Sequence, residues 1–176
     1  MAVSLRFATV DDAALLHSVA AATFALACPP DTTQASIDTF IAEHLSEPSF
    51  AGYLADPQRQ LIIGQHNGAA AGYTMLVYGE PTDADVAAAV ALRPTAELSK
   101  CYVMADHHGT GLAGTMIAAS VGAARERGAL SVWLGVNIHN ARANRFYEKN
   151  GFAQVGTKRF LVGNRYEDDF VRELVF

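Results

Sequence analysis

The chain has 176 residues, of which 51% are hydrophobic and 18% charged, with a formal net charge of −5. That length predicts one domain, residues 1–176, with a proper apolar core and little room for a second. The negative balance, with its Lys and Arg scattered, argues against nucleic acid as a partner, because holding phosphates requires a basic face.

The opening stretch "MAVSLRFATVDD" has neither a basic leader before an apolar segment nor a cleavage site. Since no apolar run approaches the length of a bilayer span, a cytoplasmic protein without a membrane partner is expected. "VSLRFATV" alternates as a half-buried strand does, and Asp11 or Asp12 caps a helix carrying Leu15, Leu16, Val19 and Phe24. Thr32 or Thr33 opens a second helix with Ile37, Phe40, Ile41 and Leu45 at helical spacing, and "EPSFAGYLADP" adds a turn or two before Pro57. Residues 59–79 read as two antiparallel strands joined by His66-Asn67-Gly68, because Asn-Gly suits a tight turn with positive φ. A connection with a short helix covers 81–95, and a strand follows over 97–104. A helix from Thr110 to Arg127 is ended by Gly128, and "ALSVWLGVN" is a buried strand. A helix over 140–150 closes at Asn150-Gly151, and strands near 152–162 and 168–175 finish a mixed α/β layer structure. Cys28 and Cys101 lie far apart without a C-x-x-C, as buried thiols of a reducing compartment would.

Gly109, Gly111 and Gly114 spell G-x-G-x-x-G between a strand and a helix, where backbone N–H groups and the positive helix end favour an anion. A dinucleotide turn also needs an acid at the end of the next strand, and here that strand ends Leu134-Gly135-Val136-Asn137. The P-loop pattern has no match either. His107 and His108 are adjacent on one loop and lack companions at ligand spacing, so no metal is expected.

A different register accounts for more of the chain. His108-x-x-Gly111-x-Ala113 resembles the Q/R-x-x-G-x-G/A pyrophosphate loop of the GNAT superfamily of N-acetyltransferases, with His108 in place of the usual Gln or Arg. "VWLGVNIHNARANRFYEKNGF" resembles that superfamily's second signature, with Asn140, Ala143, Phe146, Tyr147, Gly151 and Phe152 in place. Within the superfamily, the W-L-G-V strand and the late F-x-x-G…D pattern are similar to the PaiA-like polyamine acetyltransferases.

The resemblance implies a mostly antiparallel central sheet of about six or seven strands with flanking helices, in which the strands at 97–104 and 130–137 splay apart. It implies acetyl-CoA as co-substrate, no metal, and direct attack by a primary amine on the thioester. Backbone groups of Cys101, Tyr102 and Val103 would pair with the pantetheine arm, and a backbone N–H near Val103 would polarise the thioester carbonyl. His108, Gly109, Thr110, Gly111, Leu112, Ala113 and Gly114 would hold the pyrophosphate, and Asn140 would cap a helix and touch the cofactor.

Two proton transfers then need a base and an acid on opposite sides of the carbonyl. Glu97, eleven residues before His108, stands at the interval of the glutamate base in the superfamily's histone acetyltransferases, while the N-terminal acetyltransferases place theirs five before the asparagine, here Gly135. Tyr147 is the acid candidate. Trp133 and Phe146 read as core, and Cys101 has no activating cation beside it to make it a nucleophile. The acceptor pocket would be framed by Asp31, Asp38, Glu43, Glu80, Asp83, Asp85, Glu167, Asp168 and Asp169, an acidic surface suited to a small cationic amine. A protein or peptide amine, a CoA-binding regulatory module without turnover, and a non-CoA binding domain remain alternatives, with a monomer or homodimer expected.

Overall fold

The computed structural model describes residues 2–162 and 164–176, with the backbone alone at 160 and 162. Its strands are β1 (Val3–Phe7), β2 (Arg59–His66), β3 (Ala69–Tyr78), β4 (Thr95–Val103), β5 (Ser131–Asn137), β6 (Ala153–Val162) and β7 (Arg165–Val175). They form one sheet in the order β1-β2-β3-β4-β5-β7-β6. Among the described residues every neighbouring pair is antiparallel except β4 and β5, which run parallel. The glycine of the late F-x-x-G pattern, Gly163, lies outside the described residues.

Local sequence explains most element boundaries. The β2–β3 turn is left-handed at both Asn67 (φ 52°) and Gly68 (φ 81°), as an Asn-Gly hairpin turn requires. The helices are α1 (Ala13–Thr23), α2 (Gln34–His44), α3 (Glu47–Ala55), α4 (Ala84–Ala89), α5 (Leu112–Glu126) and α6 (Ala141–Lys149). Thr33 opens α2 by accepting from Ser36 N–H, and Ser46 opens α3 by accepting from Ser49 N–H. That cap, with Pro48 in the first turn, makes the expected turn or two a full nine-residue helix. At the other end of the chain, α5 starts two residues later than expected because Gly111 is left-handed (φ 85°) and belongs to the loop.

One apolar core lies between α1–α3 and the β2–β3 face, built on Leu16, Phe24, Phe40, Phe50, Ile63 and Tyr73. A second lies under α5 and α6, built on Leu76, Leu98, Ile117, Leu134 and Phe152. The segment Val10–Ala27 is by length and composition apolar enough to cross a bilayer. Here Leu16, Val19, Ala20 and Phe24 are instead buried in the first core. Trp133 is buried, as expected of core, against Val86, Val90 and Val171.

Candidate active site

The sheet is split where the chemistry was expected. β4 and β5 pair only at Thr95↔Ser131, Ala96↔Val132 and Glu97↔Trp133, although β4 runs on to Val103 and β5 to Asn137. Each strand stays bonded on its far side, β4 to β3 and β5 to β7, so the pair divides like a zip opened from one end. The cause lies in β4. Leu76 faces Leu98 while Met75 faces Lys100, leaving Ser99 as an extra residue, and such a bulge bends and twists its strand.

Divergence leaves main-chain groups of both strands facing an open slot, where an extended chain can bond them as an added strand would. Met104 N–H donates to Ala71 O on β3. By strand alternation the Cys101 and Val103 N–H groups therefore face the slot, whereas those of Tyr102 face β3. Tyr102 contributes its ring instead, set between Tyr73 and Phe24.

The loop before α5 presents amides at one mouth of the slot. Gly109 and Gly111 are left-handed (φ 80° and 85°), and a Cβ built at either would meet nothing within 4 Å, so the backbone lies bare. The Ala113 and Gly114 N–H groups belong to the first turn of α5 and have no intrahelical acceptor. Thr110 Oγ1 donates back to His107 O (2.6 Å), and the Leu112 side chain is in the core. His108 turns inward: its Nε2–H donates to Val103 O (2.9 Å), which fixes the tautomer and ties the loop to the end of β4. His107 packs against the ring of His66. Among the described residues no group of three or more His, Cys, Asp or Glu side chains is placed to hold a metal ion.

Three spaces join through the slot. A cleft of about 460 Å³ on the α5–α6 side is lined by the glycine loop, Cys101, Val103, Asn140 and Tyr147. A second of about 640 Å³ on the opposite side is lined by Tyr53, Arg59, Glu97, Lys100, Trp133 and Lys158. Between them a throat of about 210 Å³ carries both Tyr147 and Cys101 from the first side and both Glu97 and Lys100 from the second.

Electrostatics differ between the two ends of the throat. Burial pushes the Glu97 carboxyl above the usual range, while Lys158, Lys100 and Arg59 pull it back down. Burial lowers the neighbouring Lys100 amine to about 8, against the pull of Glu97. At the other end burial raises the Tyr147 phenol well above the ordinary tyrosine value, so it stays protonated at neutral pH. Its hydroxyl shares a hydrogen bond with Cys101, whose thiol burial pushes up to about 12, which leaves the sulfur a neutral thiol and no nucleophile.

The position of Tyr147 depends on a network that motif matching does not reveal. Asn140 Oδ1 caps α6 by accepting from Ala143 N–H (3.1 Å). Buried Asn144 donates through Nδ2 to the carbonyls of Asn137 and Asn140 and accepts from Arg172 Nε (3.0 Å). Arg172, also buried, donates onward to Phe152 O (2.9 Å), so helix, β5 end and β7 are fastened together. Asn144→Ala should therefore cost about 2–4 kcal/mol of unfolding free energy in urea, since it strands a buried guanidinium. A loss under about 1 kcal/mol would show the network to be idle.

The sequence profile of the acetyltransferase (GNAT) family matches residues 26–152. The chain belongs to the GNAT family. An uncharacterized N-acetyltransferase of Mycobacterium tuberculosis strain H37Rv is 45% identical to this GNAT chain over 166 residues, 93% of the chain and 99% of the relative. The crystal structure of the PaiA N-acetyltransferase from Thermoplasma acidophilum, in complex with coenzyme A, shares its fold with a TM-score of 0.79 at 18% identity, covering 100% of both chains. YncA, a putative acetyltransferase from Salmonella typhimurium with its cofactor acetyl-CoA, does so with a TM-score of 0.65 at 19% identity, over 99% and 94% of the two chains. The protein is an acetyl-CoA-dependent N-acetyltransferase. The slot fits that co-substrate: unpaired strand amides suit a pantetheine arm, and bare glycine amides suit a pyrophosphate.

In this GNAT chain the acids expected to frame the acceptor pocket are mostly engaged elsewhere. Asp31 and Glu167 both pair with Arg165, and Glu80 pairs with Arg93. Asp83 caps α4, Asp38 accepts from Gln34, and Asp169 faces Lys158 at 3.7 Å. A Cβ at Gly135 would fall 2.6 Å from Lys158 Cε and 3.2 Å from Asp169 Oδ2, so the space beside β5 is already taken by that pair. Arg165, Arg93 and Lys158 thus offset part of the acidic charge anticipated around the pocket.

Proposed function

We propose that the protein moves the acetyl group of acetyl-CoA to a small primary amine that arrives as its ammonium ion, with Glu97 as general base and Tyr147 as general acid. The observation that carries this reading is the throat, which has a carboxylate at one mouth and a protonated phenol at the other. Acetyl-CoA supplies, when bound, an activated acyl group and a thiol as leaving group. Glu97 Oε takes a proton from the ammonium on the Lys100 side, directly or through one water, because an amine attacks only when its lone pair is free. Tyr147 Oη delivers a proton on the α6 side, where a departing thiolate needs one. The Val103 N–H, aimed into the slot, stabilises negative charge on the acyl oxygen. The amides of Gly109, Gly111, Ala113 and Gly114 hold the diphosphate.

Two free, half-buried cysteines agree with a cytoplasmic setting. The test is thiol release from acetyl-CoA in the presence of a panel of primary amines. Amine-dependent release is expected. Binding of acetyl-CoA with no amine-dependent release would favour a regulatory CoA-binding module, and no binding at all would favour a non-CoA domain.

A further inference from the structure

The charged groups on the acceptor side are arranged by sign. Arg59, Lys100 and Lys158 line the cleft together with Glu97, Glu80 and Asp83. Two of the three acids are committed. Glu80 accepts from Arg93 Nε (2.8 Å), and Asp83 accepts from the N–H groups of Asp85 and Val86. Glu97 is left as the acid at the inner end, facing a wall of cations.

Two of those cations are held together on one aromatic ring. Arg59 Cζ lies 4.8 Å from the Tyr53 ring centroid and Lys100 Nζ lies 5.6 Å from it. Tyr53 is itself fixed by donating from its hydroxyl to His44 O (2.7 Å). Arg59 bonds Asp56 through Nε at 3.2 Å and reaches the Met75 sulfur with Nη1 at 4.0 Å, while Lys100 feels the pull of Glu97 but, among the described residues, forms no ion pair within 4 Å. Like charges brought side by side at a half-buried wall repel one another, and an anion shared between them removes that cost. The flat guanidinium and the ammonium beside it offer a carboxylate several donors at once. A second ammonium in the same place would meet two positive charges, so a polyamine is disfavoured there.

We propose that the acceptor is a small amino acid-type molecule that carries a carboxylate next to its reactive amine, with the carboxylate held by Lys100 and Arg59 at the Tyr53 ring and the amine at Glu97. This rests on the acetyl-transfer reading above and narrows its acceptor. Charge balance across the cleft supports it: the positive wall receives the acid group, and Glu97 receives the ammonium.

Matched pairs that differ only by the carboxylate test the proposal: lysine against cadaverine, ornithine against putrescine, phenylalanine against phenethylamine. At least one amino acid should exceed its decarboxylated partner in kcat/KM by about tenfold or more. Lys100→Met should collapse that ratio, Lys100→Arg should keep most of it, and acetyl-CoA affinity should stay unchanged in both. Equal or better turnover of the plain amines, a ratio untouched by Lys100→Met, or calorimetric binding of neither series to the protein–CoA complex would each overturn the carboxylate site. Failure to bind acetyl-CoA would instead strike the acetyl-transfer reading itself, so the two failures are told apart.

Discussion

Tyr147→Phe should lower kcat by about 10²-fold while acetyl-CoA affinity stays within about twofold of the parent. The phenol stands in the throat, hydrogen-bonded to the Cys101 thiol, and burial raises its pKa well above the usual tyrosine value. A group that weak as an acid remains protonated across the neutral range and has a proton to give when negative charge builds on a leaving sulfur. Phenylalanine keeps the ring against Phe146 and Phe152, so α6 and the second core should be undisturbed. Melting temperature and coenzyme A binding then report structure, and kcat reports chemistry. An unaltered kcat would remove Tyr147 as the acid. A joint loss of binding and stability would make it a packing residue.

Glu97→Gln should lower kcat/KM by about 10²-fold near neutral pH and erase one limb of its pH profile. Burial raises the Glu97 pKa, with Lys158, Lys100 and Arg59 opposing, so the carboxyl sheds its proton above the ordinary glutamate range. A base works only when deprotonated. Activity in the parent should therefore climb as pH rises through the Glu97 pKa, then climb again as the acceptor's ammonium ionises. The glutamine variant should retain only the second climb. Persistence of the lower limb would assign it to another group, and the carboxylate that shares the throat, Asp169, is the one to examine, since burial raises its pKa to about 6.

Much of this was readable from short segments. The two signatures, His108-x-x-Gly111-x-Ala113 and the Asn140-to-Phe152 run, combine local turn chemistry with helix caps, and local chemistry is what a sequence records most directly. The Asn-Gly hairpin and the buried Trp133 followed for the same reason. What escaped depends on partners far away in the chain. Nothing near Asp31 announces that Arg165 will pair with it, and nothing near Glu80 announces Arg93, so which acids keep their charge free toward the pocket is not written in the sequence. The bulge at Ser99 is a matter of register between two strands, and a strand read alone cannot show it. His108 replaces the usual Gln or Arg of the loop, and that its Nε2–H would meet Val103 O at the end of β4 is a tertiary contact the motif does not record. Asn144 and Arg172 carried one faint signal: polar residues at positions where a helix and a strand turn inward.

The central claim is that the main-chain amides of the β4–β5 slot and of the loop entering α5 seat coenzyme A. Amide NMR of the isotopically labelled protein, titrated with coenzyme A, tests it directly. Saturable shifts should appear at Cys101 and Val103 in the slot and at Gly109, Gly111, Ala113 and Gly114 at its mouth, with the β1–β2 edge unmoved. Saturable binding that leaves those six amides in place, or no binding at all, would contradict it.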